Sequence, residues 1–390
     1  MGIKKEWLAM PKNGDKILLL FQILFFVVIF SASFFLFYHQ AFSTPGKLYP
    51  SDLPLHIRFT SEYFLGQKYI PHPGIHTICH YFSKITGLSL HYSFIVVLSL
   101  CVTAIAAMIY LILLKFLKQY YPSGFVLLLA ALSLLVSAIY VPFFNRYIFL
   151  LQGSPNVWHN PTLIAVKPIA FIAFMLVIAF YTHTRYQGKI KYYFLIATTL
   201  LFSVWIKPNF LLSFLPAMAI WILIKFPRQW GLYFKSLVLV LPSLGYLLMQ
   251  YLNTYASGTK NGIIFDFLGV MRLYSPNPYF SLFLGTAFPC LLILFRFRKV
   301  FENPYFLISF INIVIAILQL MFLAEWPQRY KNANFSWGYM IALQLMFTFA
   351  AVEYFKWWVV KIKGTGESIK MGIVSIALGL HLVSGLFYTF

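Results

Sequence analysis

Acidic side chains are nearly absent from this sequence: nine Asp and Glu stand against 30 Lys and Arg in 390 residues, and only 10% of residues carry charge. Each acid therefore calls for a reason. Cysteine is scarce as well, with Cys79, Cys101 and Cys290 alone. Three cysteines make no disulfide framework, and their spacing fits no zinc motif. No Gly/Ser-rich linker divides the chain, so residues 1–390 read as a single membrane domain. Internal repeats are not evident, which argues against transporters built on inverted repeats. Polar surface is missing too. With 61% hydrophobic residues, 20% aromatics and a mean hydropathy of +0.79, a water-soluble domain is excluded.

What the chain has is apolar runs of roughly 20 residues, the length that crosses about 30 Å of hydrocarbon. They predict an all-α, polytopic transmembrane bundle with about eleven spans, near 17–38, 92–114, 123–144, 163–182, 192–206, 209–226, 235–252, 280–296, 305–324, 337–355 and 371–390. The first run, ILLLFQILFFVVIFSASFFLFY, is too long for a signal-peptide core and reads as an uncleaved helix. A net charge of +21 would suggest nucleic acid in a soluble protein. Here most Lys and Arg fall in KKEWLAMPKNGDK, KFLKQYYP, HTRYQGKIK, KFPRQWGLYFK, RFRKVFENP and KWWVVKIKGTGESIK, alternate connections that the positive-inside rule assigns to the cytoplasm. That sets the N-terminus inside and the C-terminus outside, and calls for no nucleic-acid partner.

In that orientation the unusual polar residues face out. The first external loop, 39–91, is long for a connector. Its SDLPLHIRFT (51–60) sets Asp52 and His56 one helical turn apart on one face, with Ser51 as a candidate cap and Pro54 tolerated in the first turn. A helix here would stop at Gly66, and a second would follow Pro71, both lying on the bilayer. The bland alternative for Asp52 is a cap at a helix N-terminus. Arg58 points away from that face and is expected at headgroups or paired with Glu62. His72, His76 and His80 have a zinc-compatible spacing, but Pro73 biases His72 out of any helix and no carboxylate stands beside them. No metal or cofactor site follows.

Further along, Asn160-Pro161 reads as an N-cap with Pro at the first helical position. It leaves Trp158, His159 and Lys167 unexplained. Lys167 falls about 9 Å down the new helix, where a cation costs on the order of 2–3 kcal/mol unless it faces a polar cavity; His159 lies within about 80° of it around the axis. Lys207-Pro208 breaks another apolar run, and Arg146 adds a cation at the same level. Arg272 lies in the loop 253–279, and AEWPQRYKNANFSWGY (324–339) brings Glu325, Arg329 and Trp337. Glu325 and Arg329 are spaced to pair, and Trp337 suits either the aromatic belt or a sugar ring. One carboxylate, several cations and aromatics at membrane level fit an anionic, lipid-linked substrate.

The architecture, and the run DLPLHIRFTSEYFLGQKYIPHPGIH after the first helix, resemble the GT-C superfamily of integral membrane glycosyltransferases. The resemblance implies a polyprenyl-phosphate-linked sugar donor, a glycan or glycolipid acceptor, membrane lipid around the chain, and an Asp in this loop as the base; that role falls on Asp52. The family often has a second acid directly after the first, where this chain has Leu53. The expected reaction is an inverting transfer on the external face of a bacterial cytoplasmic membrane. Asp52 takes the acceptor proton, and Arg146, Lys167 and Lys207 stabilise the departing phosphate. His56 orients Asp52 or binds the phosphate. His159, Trp158, Trp337, Arg272, Glu325 and Arg329 complete the expected substrate contacts. Two alternatives stay open: an O-antigen or capsular polysaccharide polymerase, and a transporter of lipid-linked sugar.

Overall fold

A computed structural model of the chain describes residues 13–43, 51–143, 153–183, 189–256, 262–360 and 364–389. These hold the helices α1 (Asn13–Ala41), α2 (Leu53–Phe64), α3 (Gly74–Thr86), α4 (Leu90–Leu117), α5 (Ser123–Ser133), α6 (Pro161–Thr182), α7 (Ile190–Ile206), α8 (Asn209–Lys225) and α9 (Trp230–Tyr251). The strand β1 (Gly262–Phe265) follows, then α10 (Gly269–Tyr274), α11 (Pro278–Val300), α12 (Pro304–Phe322), the strand β2 (Leu323–Trp326), α13 (Ser336–Val359) and α14 (Thr365–Thr389). Among the described residues, eight helices are long and apolar enough to cross a membrane; α5, α7 and α8 are shorter apolar helices. The chain is thus a helical membrane protein.

Local chemistry explains many of the boundaries. Three long helices begin at an Asn-Pro pair. Asn160, Asn277 and Asn303 each accept from a backbone N–H of the first turn, at 3.0, 3.1 and 3.0 Å, while Pro161, Pro278 and Pro304 fill the first helical position, where no N–H is needed. Helix α13 is buried along almost its whole length between α4, α6, α8, α11 and α12. Helix α1, by contrast, exposes Leu20, Phe21, Leu24 and Val28 along one side, a surface that only lipid can cover.

Two departures from the sequence expectation matter. The third expected span, 123–144, is helical only to Ser133. An 11-residue helix rises about 16 Å, half of the hydrocarbon thickness. The chain continues without a helix, and its backbone polar groups are met by other segments, as irregular backbone at membrane depth requires. Asn156 Nδ2 donates to the carbonyls of Ser133 and Val136, both at 2.9 Å. His381 of α14 bonds Ser137 O through Nδ1 at 2.6 Å and accepts from Phe288 N–H through Nε2 at 3.3 Å. Ile139 N–H donates to Leu284 O of α11 at 3.0 Å. The second departure is the antiparallel ribbon of β1 and β2, which sets Ile263 opposite Glu325 in an otherwise all-α chain.

The loop helices α2 and α3 pack on the bundle rather than beside it. Leu53, Ile57, Ile75 and Cys79 all enter the common core. A Cβ added to Gly74 would lie 2.8 Å from Ile206 Cα, so only glycine lets α3 approach the end of α7 this closely.

Candidate functional site

The first turn of α2, the start of α6, the α7–α8 junction, the last turns of α9 and α12 and the start of α13 meet at one end of the bundle. They enclose a cavity of about 1480 Å³, larger than the several hundred Å³ typical of a single small-molecule site. Its apolar wall includes Leu212, Leu247, Leu248, Tyr251 and Leu323. The polar wall carries Asp52, His56, His72, His159, Lys207 and Arg329.

Asp52 stands at the N-terminus of α2 but does not cap it with its side chain. The turn is held instead by Ser51, whose hydroxyl accepts from Leu53 N–H at 3.1 Å and donates to Gln40 Oε1 at 2.8 Å. Asp52 N–H is anchored on His159 O at 3.0 Å, and its carboxylate accepts from Asn160 Nδ2 at 3.2 Å. Asp52 and His56 share a helical turn, yet no hydrogen bond joins their side chains. His56 Nδ1 lies 3.3 Å from His76 Nε2 instead, so the expectation that His56 orients Asp52 is replaced by a His56–His76 pair between α2 and α3.

Asn160 links the two halves of the polar wall. Its Nδ2 holds Asp52, while its Oδ1 caps α6 and accepts from Thr162 Oγ1 at 2.9 Å and Lys207 Nζ at 3.4 Å. Lys207 is buried, donates to Thr162 Oγ1 at 2.7 Å and lies 5.2 Å from the ring centre of Trp337. It forms no ion pair among the described residues. A buried cation without a carboxylate partner is a place prepared for an anion.

Other expected residues have different lots. Trp337 and His159 line the cavity with their rings 6.0 Å apart, and His159 Nδ1 lies 3.3 Å from Tyr388 Oη. Lys167 does not reach the cavity. It is buried in α6 with its ammonium on Pro155 O, which corrects the expectation that His159 and Lys167 share one space: a backbone carbonyl of the preceding loop folds over the helix and takes the cation. Trp158 packs on the core, its Nε1 buried without a hydrogen-bond partner, and is not part of the lining. Arg272 is exposed on α10, away from the cavity. Arg146 lies outside the described residues. Glu325 lines the cavity but is fully engaged, accepting from Tyr255 Oη, from Asn334 Nδ2 at 2.6 Å and from Arg329 Nε at 3.2 Å. On the rim, Arg58 pairs with Glu62 at 3.3 Å, as its spacing predicts.

Sequence reasoning missed Asn160 as a partner of Asp52, and Thr60, Thr162 and Asn334 altogether. The one available signal was the doubled duty of an Asn whose capping oxygen leaves its amide free. Of the three spaced histidines, His76 faces His56, His72 lies before the helix on the cavity wall, and His80 stacks on Phe64 at 3.6 Å. No group of side chains suited to a metal ion occurs among the described residues.

Electrostatics follow burial. Desolvation keeps His56 and His72 well below the usual imidazole range, and the Lys207 charge lowers both further. Burial takes His76 down to about 4. His159 is lowered by burial against the pull of the Asp52 carboxylate. Burial also lowers Lys207, to about 7, against the pull of the Asp52 carboxylate. The cavity wall therefore offers neutral imidazoles, a carboxylate, the Arg329 guanidinium and a lysine that a bound anion would hold in its charged form. No known protein family matches this sequence, and no curated protein matches it at significant similarity.

Proposed function

We propose that the chain is a membrane glycosyltransferase of the GT-C kind, moving a sugar from a polyprenyl-phosphate-linked donor to a glycan or glycolipid hydroxyl. The observation that carries this reading is the presence, in one cavity, of a carboxylate that accepts from the Asn160 amide and a buried lysine that forms no ion pair among the described residues. Asp52 is spared from capping, so its oxygens remain available to a proton. Lys207, with the guanidinium of Arg329, supplies positive charge for a phosphate, and the apolar wall of α9 and α12 suits the isoprenoid chain.

In the proposed reaction the acceptor oxygen attacks the anomeric carbon and gives its proton to Asp52. The bond from that carbon to the phosphate oxygen breaks, and polyprenyl phosphate leaves with the electron pair. The result is inversion at the anomeric carbon. General base catalysis of this kind contributes roughly 10²–10⁴-fold, and the cations stabilise the charge that grows on the leaving phosphate. Orientation follows from charge. Lys115, Lys191, Lys225, Arg298, Lys356 and Lys370 all sit at helix ends opposite the cavity, the end that the positive-inside rule assigns to the cytoplasm. The cavity then faces outward, and the eleven apolar helices among the described residues alternate across the membrane, with α5 and the non-helical segment after it acting as one crossing.

Asp52→Asn tests the reading, because it preserves size and removes the basic oxygen. Turnover in a lipid-linked glycan assay is expected to fall at least about a hundredfold, with insertion and folding intact. Near-normal output would remove Asp52 from the chemistry. It would favour the polysaccharide polymerase instead, a reading that draws on the imidazoles of His56, His72 and His159 beside Arg329 in the same wall.

A further inference from the structure

Thr60, His76 and His56 form a chain of hydrogen bonds whose direction is fixed by the number of protons available. Thr60 Oγ1 lies 2.8 Å from the carbonyl of His56, one turn back on α2, and 2.7 Å from His76 Nδ1 on α3. A carbonyl only accepts, so the single hydroxyl proton belongs to that bond. Toward His76 the hydroxyl can then only accept, and Nδ1 of His76 must carry a proton. The same carbonyl acts on the His76 ring and raises its proton affinity, in keeping with an N–H on that side.

Neutral His76 therefore has a bare Nε2. His56 Nδ1, 3.3 Å away, is the donor to it. That assigns the remaining nitrogen of His56: Nε2 carries no proton, and it has no protein partner among the described residues. Thr60 and His76 are buried, Thr60 outside the cavity lining and His76 at its inner edge, while the more exposed His56 lines the cavity. Lys207, His72 and His76, the titratable groups acting on His56, together with its burial, all oppose a second proton on the ring.

We propose that Thr60 and His76 are positioning residues that lock His56 in its Nδ1–H tautomer, so that a bare Nε2 faces the cavity as the hydrogen-bond acceptor for a hydroxyl of the sugar acceptor next to the one that attacks. The tautomer stands on the hydrogen-bond geometry of two neutral imidazoles; the identity of the hydroxyl ligand rests on the transfer reading. The arrangement divides two tasks. Asp52 takes the single proton of the attacking hydroxyl, and His56 orients the acceptor by accepting from a neighbouring hydroxyl, through a lone pair that cannot turn into a donor.

The test is long-range ¹H–¹⁵N spectroscopy of histidine-labelled, detergent-solubilised full-length protein near pH 7.5, with the His56 signals assigned through their loss in His56→Gln. In the wild type, His56 Nε2 is expected at the shift of an unprotonated imidazole nitrogen. Thr60→Ser keeps it there. His76→Phe removes the acceptor of the Nδ1–H, and near-isosteric Thr60→Val frees the His76 ring to reverse; both move the proton to His56 Nε2. A protonated Nε2 in the wild type, or a bare one retained in both variants, overturns the proposal. These spectra need no substrate, so they stand apart from the fate of the transfer reading. Where transfer is assayed, His76→Phe is expected to lower kcat/KM for the acceptor about tenfold, the scale of one neutral hydrogen bond, with the donor KM unchanged. An inverted tautomer with unaltered acceptor kinetics overturns the acceptor role.

Discussion

The Lys207 ammonium lies 2.7 Å from Thr162 Oγ1, and no carboxylate among the described residues pairs with it. Lys167, five positions beyond Thr162 on α6, spends its charge on the carbonyl of Pro155 instead. Two buried lysines in one membrane protein thus have opposite situations, one facing an open cavity and one sealed by backbone.

Substitution separates them. Lys207→Met is expected to weaken binding of a lipid-phosphate sugar roughly 10–100-fold, the scale of one charge-assisted hydrogen bond. Its thermal midpoint in detergent is expected to hold or rise, since an uncompensated buried charge disappears. Lys167→Met should leave donor KM within about twofold and lower stability by about 1–3 kcal/mol, because Pro155 O loses its donor. Equal losses of donor affinity in the two variants would place the phosphate deeper than Lys207.

Much of this architecture is legible in the sequence, and the rest is invisible for a physical reason. Apolar runs, the Asn160-Pro161 cap and the i,i+4 pairs Arg58–Glu62 and Glu325–Arg329 are local, so spacing alone reveals them. What spacing cannot reveal is which distant group meets an unpaired one. Helix α5 ends at Ser133 because Asn156 and His381, 23 and 248 positions on, belong to the segments that receive its carbonyls and those after it. The burial cost that marked Lys167 as functional was real, but the compensating partner was a backbone atom. The capping reading of Asp52 failed because Ser51 holds the turn. His56 found its partner on another helix, 20 residues away.

Glu325 reads as a substrate contact by position and as an anchor by its bonds. It holds Tyr255, Asn334 and Arg329 together, and through them the ribbon to the start of α13. Glu325→Gln keeps the shape but offers a donor where donors already point. The expected result is a loss of about 1–3 kcal/mol in stability, read as a lower unfolding midpoint, with the kcat of the remaining folded protein changed less than about threefold. A kcat loss as deep as that of Asp52→Asn would make Glu325 part of the chemistry.

Asn156 holds the non-helical segment after α5. Its amide donates to two carbonyls, and its oxygen accepts from Gln344 Nε2 at 3.0 Å. Asn156→Ala leaves all three groups buried without these partners. Unfolding free energy is expected to drop by about 2–3 kcal/mol, since each orphaned polar group costs roughly 1–3 kcal/mol and relaxation recovers part. Cavity ligands should bind as before. A variant as stable as the wild type would mean that water replaces the amide.

The buried imidazoles make stability depend on pH in a direction that can be worked out. His76 in the folded chain takes a proton only near pH 4, while an unfolded histidine does so near 6.5. Above about pH 6.5 neither state is protonated, and the full stability is present. As pH falls below that value the unfolded chain gains a proton that the folded chain refuses, so stability declines with it. By pH 5 the loss from His76 alone is about 2 kcal/mol, and His56 and His72, lowered for the same reason, add to it in the same direction. Unfolding midpoints between pH 8 and pH 5 should therefore fall in the wild type and fall less steeply in His76→Phe, the carboxylate contributions being common to both. Parallel curves would mean that His76 is not held neutral in the folded protein, and the proton count on which the Thr60–His76–His56 chain depends would fail with it.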